Sequence, residues 1–131
     1  MAASAGILLV LGLIHVVYTF WGPQLTPRDA ALQAMMSNVS PVLSRETTMW
    51  RAWLGFNASH SMGLILFGLV YGYLALAHEE ILFKSPYLLL VGLAMVCGFV
   101  VLAKLYWFSI PFRGTCAALV CYLASVAASR V

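Results

Sequence analysis

Two histidines, an asparagine and a serine are the residues of this chain best suited to chemistry: His15, Asn57, His60 and Ser61, each set in an otherwise apolar stretch. An imidazole can take up, hold or give a proton near neutral pH and can bind a metal, and a neighbouring amide or hydroxyl can orient it. On a helix the positions i, i+3, i+7 and i+10 share one stripe. That spacing lines up Trp50, Trp53, Asn57, His60 and Leu64, with Ser61 and Gly68 beside them. A stripe of this kind must face protein, water or a ligand, because hydrocarbon leaves an amide and an imidazole unsatisfied.

The elements that carry these residues follow from composition. Of the 131 residues 63% are hydrophobic and 8% charged, with a mean hydropathy of +0.97, which places the chain among membrane proteins. A helix crossing a bilayer needs ~20 mostly apolar residues, and four stretches qualify, at about residues 4–21, 50–77, 86–107 and 112–129. The expectation is an all-α integral membrane protein, one domain over residues 1–131, folded as an up-and-down four-helix bundle. The first stretch lacks Lys or Arg before its apolar run and no A-x-A-like site follows, so it reads as a retained anchor rather than a signal peptide. Thr26 and Pro27 read as the start of a short helix lying on the membrane surface within the first loop. Ser40–Pro41 is a further helix-start signal, Pro86 suits the first turn of the third long helix, and Pro111 reads as a break before the fourth.

Depth gathers the polar groups at one end. At ~1.5 Å rise per residue, His60 lies about 15 Å along its helix from Trp50 and His15 about 9 Å from Trp21, counted from the same face. Arg51, Lys104 and Arg113 belong to that face too. The sequence therefore predicts a polar cavity in one half of the membrane, roofed by the first loop. His15, His60 and Asn57 are its candidate catalytic residues, and Trp53, Ser61, Arg51, Lys104 and Arg113 its candidate ligand contacts. A neutral imidazole held by Asn57 or a serine could move a proton on an apolar substrate while a cation anchors an anionic head; the same parts would bind an amphiphile without transforming it.

Other chemistry is limited by what is missing. All four acidic residues, Asp29, Glu46, Glu79 and Glu80, fall in the connections, which removes carboxylate-bridged di-iron centres and the usual carboxylate relays of proton and ion pumps. Two histidines could ligate haem iron or a metal, but a catalytic zinc usually has a third protein ligand and no carboxylate is available at this depth; haem stays possible without being favoured, and no metal site is expected. Cys97, Cys116 and Cys121 contain no C-x-x-C pair and read as buried apolar side chains. A net charge of +3 fits basic loops at a membrane better than a nucleic-acid surface. The basic residues Arg28, Arg45, Arg51, Lys104 and Arg113 on one side, against Lys84 and Arg130 on the other, place both termini on the non-cytosolic side.

A purely structural reading stands beside the functional one. Asn, Ser and His in membrane helices bond across helix interfaces for about 0.6 kcal/mol, at most ~2, and Gly55, Ser59 and Gly63, or Gly68 and Gly72, form small-residue ridges suited to close packing. In layout the chain is also similar to the MAPEG family of glutathione-dependent membrane enzymes: four helices, a long basic first loop, and an arginine opening the last helix. The resemblance implies a homo-oligomer that binds glutathione, with Arg51, Asn57 and Arg113 at its site. It is one of layout, since the step from Arg51 to Asn57 is six residues where the family has seven and "NASHS" is not its pattern. The partner expected from the residues themselves is a membrane lipid or small amphiphile.

Overall fold

Three of the helix starts in this chain are set by a side-chain cap, from Asp29, Thr48 and Ser85. The structure, a computed structural model, describes residues 1–129; Arg130, counted above in the charge balance, lies outside them. Among the described residues all regular structure is helical, in the order α1 (Ala2–Phe20), α2 (Ala30–Asn38), α3 (Met49–Ala77), α4 (Glu79–Lys84), α5 (Pro86–Tyr106) and α6 (Ser109–Ala128). Four of these, α1, α3, α5 and α6, are long and apolar enough to cross a membrane.

Where boundaries differ from the sequence reading, the cap explains it. The Thr26 hydroxyl is spent on the Pro23 carbonyl at 2.7 Å, so α2 starts later, at Ala30, where the Asp29 carboxylate accepts from the Ala31 N–H at 2.8 Å. Pro41 opens a turn in which the Ser44 N–H donates to its carbonyl at 3.2 Å, and α3 begins at Met49 with the Thr48 hydroxyl accepting from the Arg51 N–H. Pro111 does not break the last helix. It sits in the first turn of α6, where the missing N–H has no intrahelical acceptor to lose, so α6 starts three residues earlier than Phe112. The connection after α3, read as a loop, holds the short α4, closed by an exposed Lys84–Glu80 ion pair at 3.0 Å.

The closest packing is between α1 and α3, and glycines permit it. A Cβ placed on Gly68 would stand 2.6 Å from Leu9 Cβ and 2.9 Å from the Ala5 carbonyl; one on Gly12 would stand 2.9 Å from Leu64 Cβ. The ridge that packs is thus Gly68 and Gly72, the latter facing Ala5. Gly55 points into open space, Ser59 is exposed, and Gly63 comes no nearer than ordinary contact with Phe99.

These contacts run early α1 against late α3, so the two helices are antiparallel. Leu11 against Gly114 and Met1 against Ser125 set α1 antiparallel to α6 in the same way. Two tyrosines fix α5: Tyr71 of α3 donates to the Leu88 carbonyl and Tyr122 of α6 to the Leu89 carbonyl, both at 2.7 Å. Both rings press on Gly92, where no side chain would fit.

Large apolar side chains cover the outside. Phe56, Leu66, Leu76, Leu90, Leu105 and Val120 are all more than half exposed, a surface that water alone does not tolerate. Replacing Gly68 by Leu should lower stability in detergent by about 1–3 kcal/mol, the usual cost of overpacking, whereas Gly55→Leu should be close to neutral. Thermal unfolding of the two variants side by side checks this; equal melting temperatures would contradict the α1–α3 contact.

Candidate functional site

The register that seats Gly68 on α1 also delivers the polar residues to one another. One turn beyond Gly12 towards the C-terminus of α1, His15 meets the start of the polar stripe of α3. Asn57 Nδ2 donates to the Trp53 carbonyl at 2.8 Å, which leaves Oδ1 as the acceptor facing His15 Nε2 at 3.1 Å. That assigns a proton to His15 Nε2. The His60 ring stands edge-on to His15, centroids 5.2 Å apart and planes at 84°.

Two flanking hydroxyls are satisfied by the backbone. Thr19 donates to the His15 carbonyl at 2.8 Å and Ser61 to the Asn57 carbonyl at 3.0 Å, and both residues are buried. His60 differs. Its ring is half-buried among three others, His15, Phe99 at 5.6 Å and Trp107 at 4.5 Å, and among the described residues neither of its nitrogens has a hydrogen-bond partner.

Phe99 and Trp107, the latter capping the C-terminus of α5, together set His60 beside the last two turns of α5. The longer α3, 29 residues against 21, continues beyond this level. The first loop and α2 pack against that overhang, and the Trp53 indole N–H donates to the Leu25 carbonyl at 3.0 Å. Beneath this loop is a cavity of about 260 Å³, lined by Tyr18, Thr19, Leu25, Thr26, Trp50 and Leu54 among others. It touches the histidine cluster only through Thr19.

The remaining candidates lie around the cluster rather than in it. Arg51 and Arg113 are exposed in the first turns of α3 and α6. Lys104 is exposed with its ammonium 5.3 Å from the centre of the Phe112 ring. Phe99 and Trp107 are the site residues that sequence reasoning missed. Among the described residues no three His, Cys, Asp or Glu gather in a way that could hold a metal ion.

The cluster can therefore do two things: tie α1 to α3, through His15 and Asn57, and present an imidazole to a polar group from outside, through His60. A double-mutant cycle separates them. His15→Phe and Asn57→Leu should couple by about 0.6 to 2 kcal/mol in unfolding free energy, while His60→Phe and Asn57→Leu, which meet only through the His15 ring, should couple more weakly.

A comparison of the chain with protein-family models, curated proteins and solved structures finds no match.

Proposed function

We propose that the protein is a multi-pass membrane protein, an up-and-down bundle of α1, α3, α5 and α6 with α2 along the membrane surface, that binds a small amphiphilic or lipid-like molecule at His15, Asn57 and His60. The observation that carries this reading is the unpartnered imidazole of His60, held by three rings at the end of α5. With the bundle in a bilayer, that level is where acyl chains give way to head groups. The His60 nitrogens are accessible from outside, the buried side-chain polar atom without a partner among the described residues being Ser4 Oγ, and the polar head of an amphiphile can meet both while its tail stays among apolar side chains.

His15 positions rather than binds: Asn57 accepts from its Nε2, and its ring edge holds His60 in place. His60 is then the group that touches the ligand, and the one that could move a proton on it. The five basic residues at this end, Arg28, Arg45, Arg51, Lys104 and Arg113, support placing it on the cytosolic side.

A second reading, in which the polar residues only join helices, draws on the His15–Asn57 hydrogen bond. It accounts for that pair and leaves His60 unexplained.

Native mass spectrometry of the protein released from its own membrane discriminates the two. Wild type should carry a small molecule of defined mass, and His60→Leu should lose it while keeping oligomeric state and melting temperature. The same adducts on both proteins, or none on either, would contradict ligand binding and leave helix joining as the role of the cluster.

A further inference from the structure

We infer that α2 and the turn after it form a wedge set into the head-group layer of the membrane beside α3, held there by apolar insertion into loosely packed lipid and not by attraction to anionic heads. The inference rests on the placement of the four long helices in a bilayer and needs no ligand at His60.

The turn is the first ground. Its base is closed by the Met49 N–H donating to the Val39 carbonyl at 2.8 Å, and its tip by the Ser44 N–H donating to the Pro41 carbonyl at 3.2 Å. The two residues at the tip, Val42 and Leu43, are fully exposed, at 109% and 96%. Turn centres ordinarily hold Gly, Pro, Asn, Asp or Ser, which suit the backbone or bond to it. Two aliphatic side chains there bury nothing within the chain, and in water they leave apolar surface uncovered. What they meet lies outside the chain.

The helix leading to them is the second ground. On α2 the exposed apolar residues Leu32, Met35 and Val39 fall at i, i+3 and i+7, on one stripe. Beside that stripe are Gln33 and Met36, the two half-buried positions of α2, which mark the edge laid on α3. Opposite it stand Ala30, Ala34 and Ser37. The Ser37 hydroxyl and the Asn38 amide are turned onto the carbonyls of Gln33 and Ala34, both at 2.9 Å, so the polar side of α2 satisfies itself.

The stripe runs into the apolar exterior of the bundle. Val39, its last residue, is hydrogen-bonded to Met49, and Met49 begins an exposed apolar stripe on α3 that Trp53 and Phe56 continue at i+4 and i+7. This continuity with the side of α3 selects lipid, rather than a second copy or another protein, as the occupant. Charge selects the kind of lipid. No residue of α2 is charged, and in the connection from α1 to α3 each basic residue is followed by an acidic one, Arg28 by Asp29 and Arg45 by Glu46. A segment whose charges cancel gains little from anionic heads, and its insertion follows the apolar area it can bury and the packing of the lipid around it.

The test is fluorescence quenching of an NBD label at Leu43→Cys in the full chain, reconstituted in phosphatidylcholine vesicles and read against wild type with its native Cys97, Cys116 and Cys121. Ser37→Cys reports the opposite face of α2, and Leu66→Cys the exposed side of α3. In vesicles of unsaturated chains the Leu43 label should lose emission to nitroxide-bearing lipid and be spared by aqueous iodide, while the Ser37 label shows the reverse. Saturated, tightly packed chains should shift the Leu43 label towards iodide, and added phosphatidylglycerol should leave it where it was. A Leu43 label open to iodide in unsaturated vesicles, or spared by both quenchers as contact with a second copy or another protein would make it, would overturn the wedge. Insertion that deepens with phosphatidylglycerol and ignores chain saturation would overturn its chemistry. A Leu66 label that nitroxide-bearing lipid fails to quench would overturn the bilayer placement itself, a failure separate from the other two.

Discussion

The approach of α1 to α3 through Gly12 and Gly68 is the contact on which the rest of the molecule depends. With no Cβ at either position, the backbones come near enough for Leu9 to lie over Gly68 and for Leu64 to lie over Gly12. The antiparallel register set there leaves His15 a single set of neighbours on α3, namely Asn57 and His60. The polar cluster is a consequence of apolar packing elsewhere along the same two helices. Side chains that cannot be buried unpaired are brought together by ones that cannot be kept apart.

The two ends of the bundle solve the same problem differently. At the far end, the hydroxyls of Tyr71 and Tyr122 are satisfied by consecutive carbonyls of α5, and Gly92 makes room for both rings; the polar atoms are used up in holding α5 in place. At the histidine end, α5 stops at Trp107 and α3 continues into an overhang covered by α2 and the first loop. There His60 is held by Phe99 and Trp107 without a hydrogen-bond partner among the described residues, and five basic residues stand against two acidic ones, Asp29 and Glu46.

The four long helices were legible because each is a run of apolar residues of spanning length, a signal that averages over many positions. The stripe of Asn57, His60 and Ser61 was legible because helical spacing is fixed once a helix is granted. Its register against α1 was not, since counting from Trp50 and from Trp21 sets His60 and His15 at different distances, whereas the two rings stand 5.2 Å apart. Which ridge packs was also hidden: Gly55, Ser59 and Gly63 look as suitable as Gly68 and Gly72, and only the partner's shape chooses. Phe99 and Trp107 as walls of the site depend on how α5 is held by Tyr71 and Tyr122, a three-body contact that no local pattern announces. Single hydrogen bonds decided the start of α2, where Asp29 took the role that Thr26 had seemed to hold.

The measurement that bears most directly on the central claim is nitrogen NMR of the histidine rings in the protein's native lipid and again after exchange into purified uncharged lipid. A ligand at His60 predicts that its ring-nitrogen resonances shift on exchange while those of His15 stay, because Asn57 continues to hold His15 in both states. Unchanged resonances for His60 would mean that nothing from outside the chain meets its imidazole, and would contradict the account.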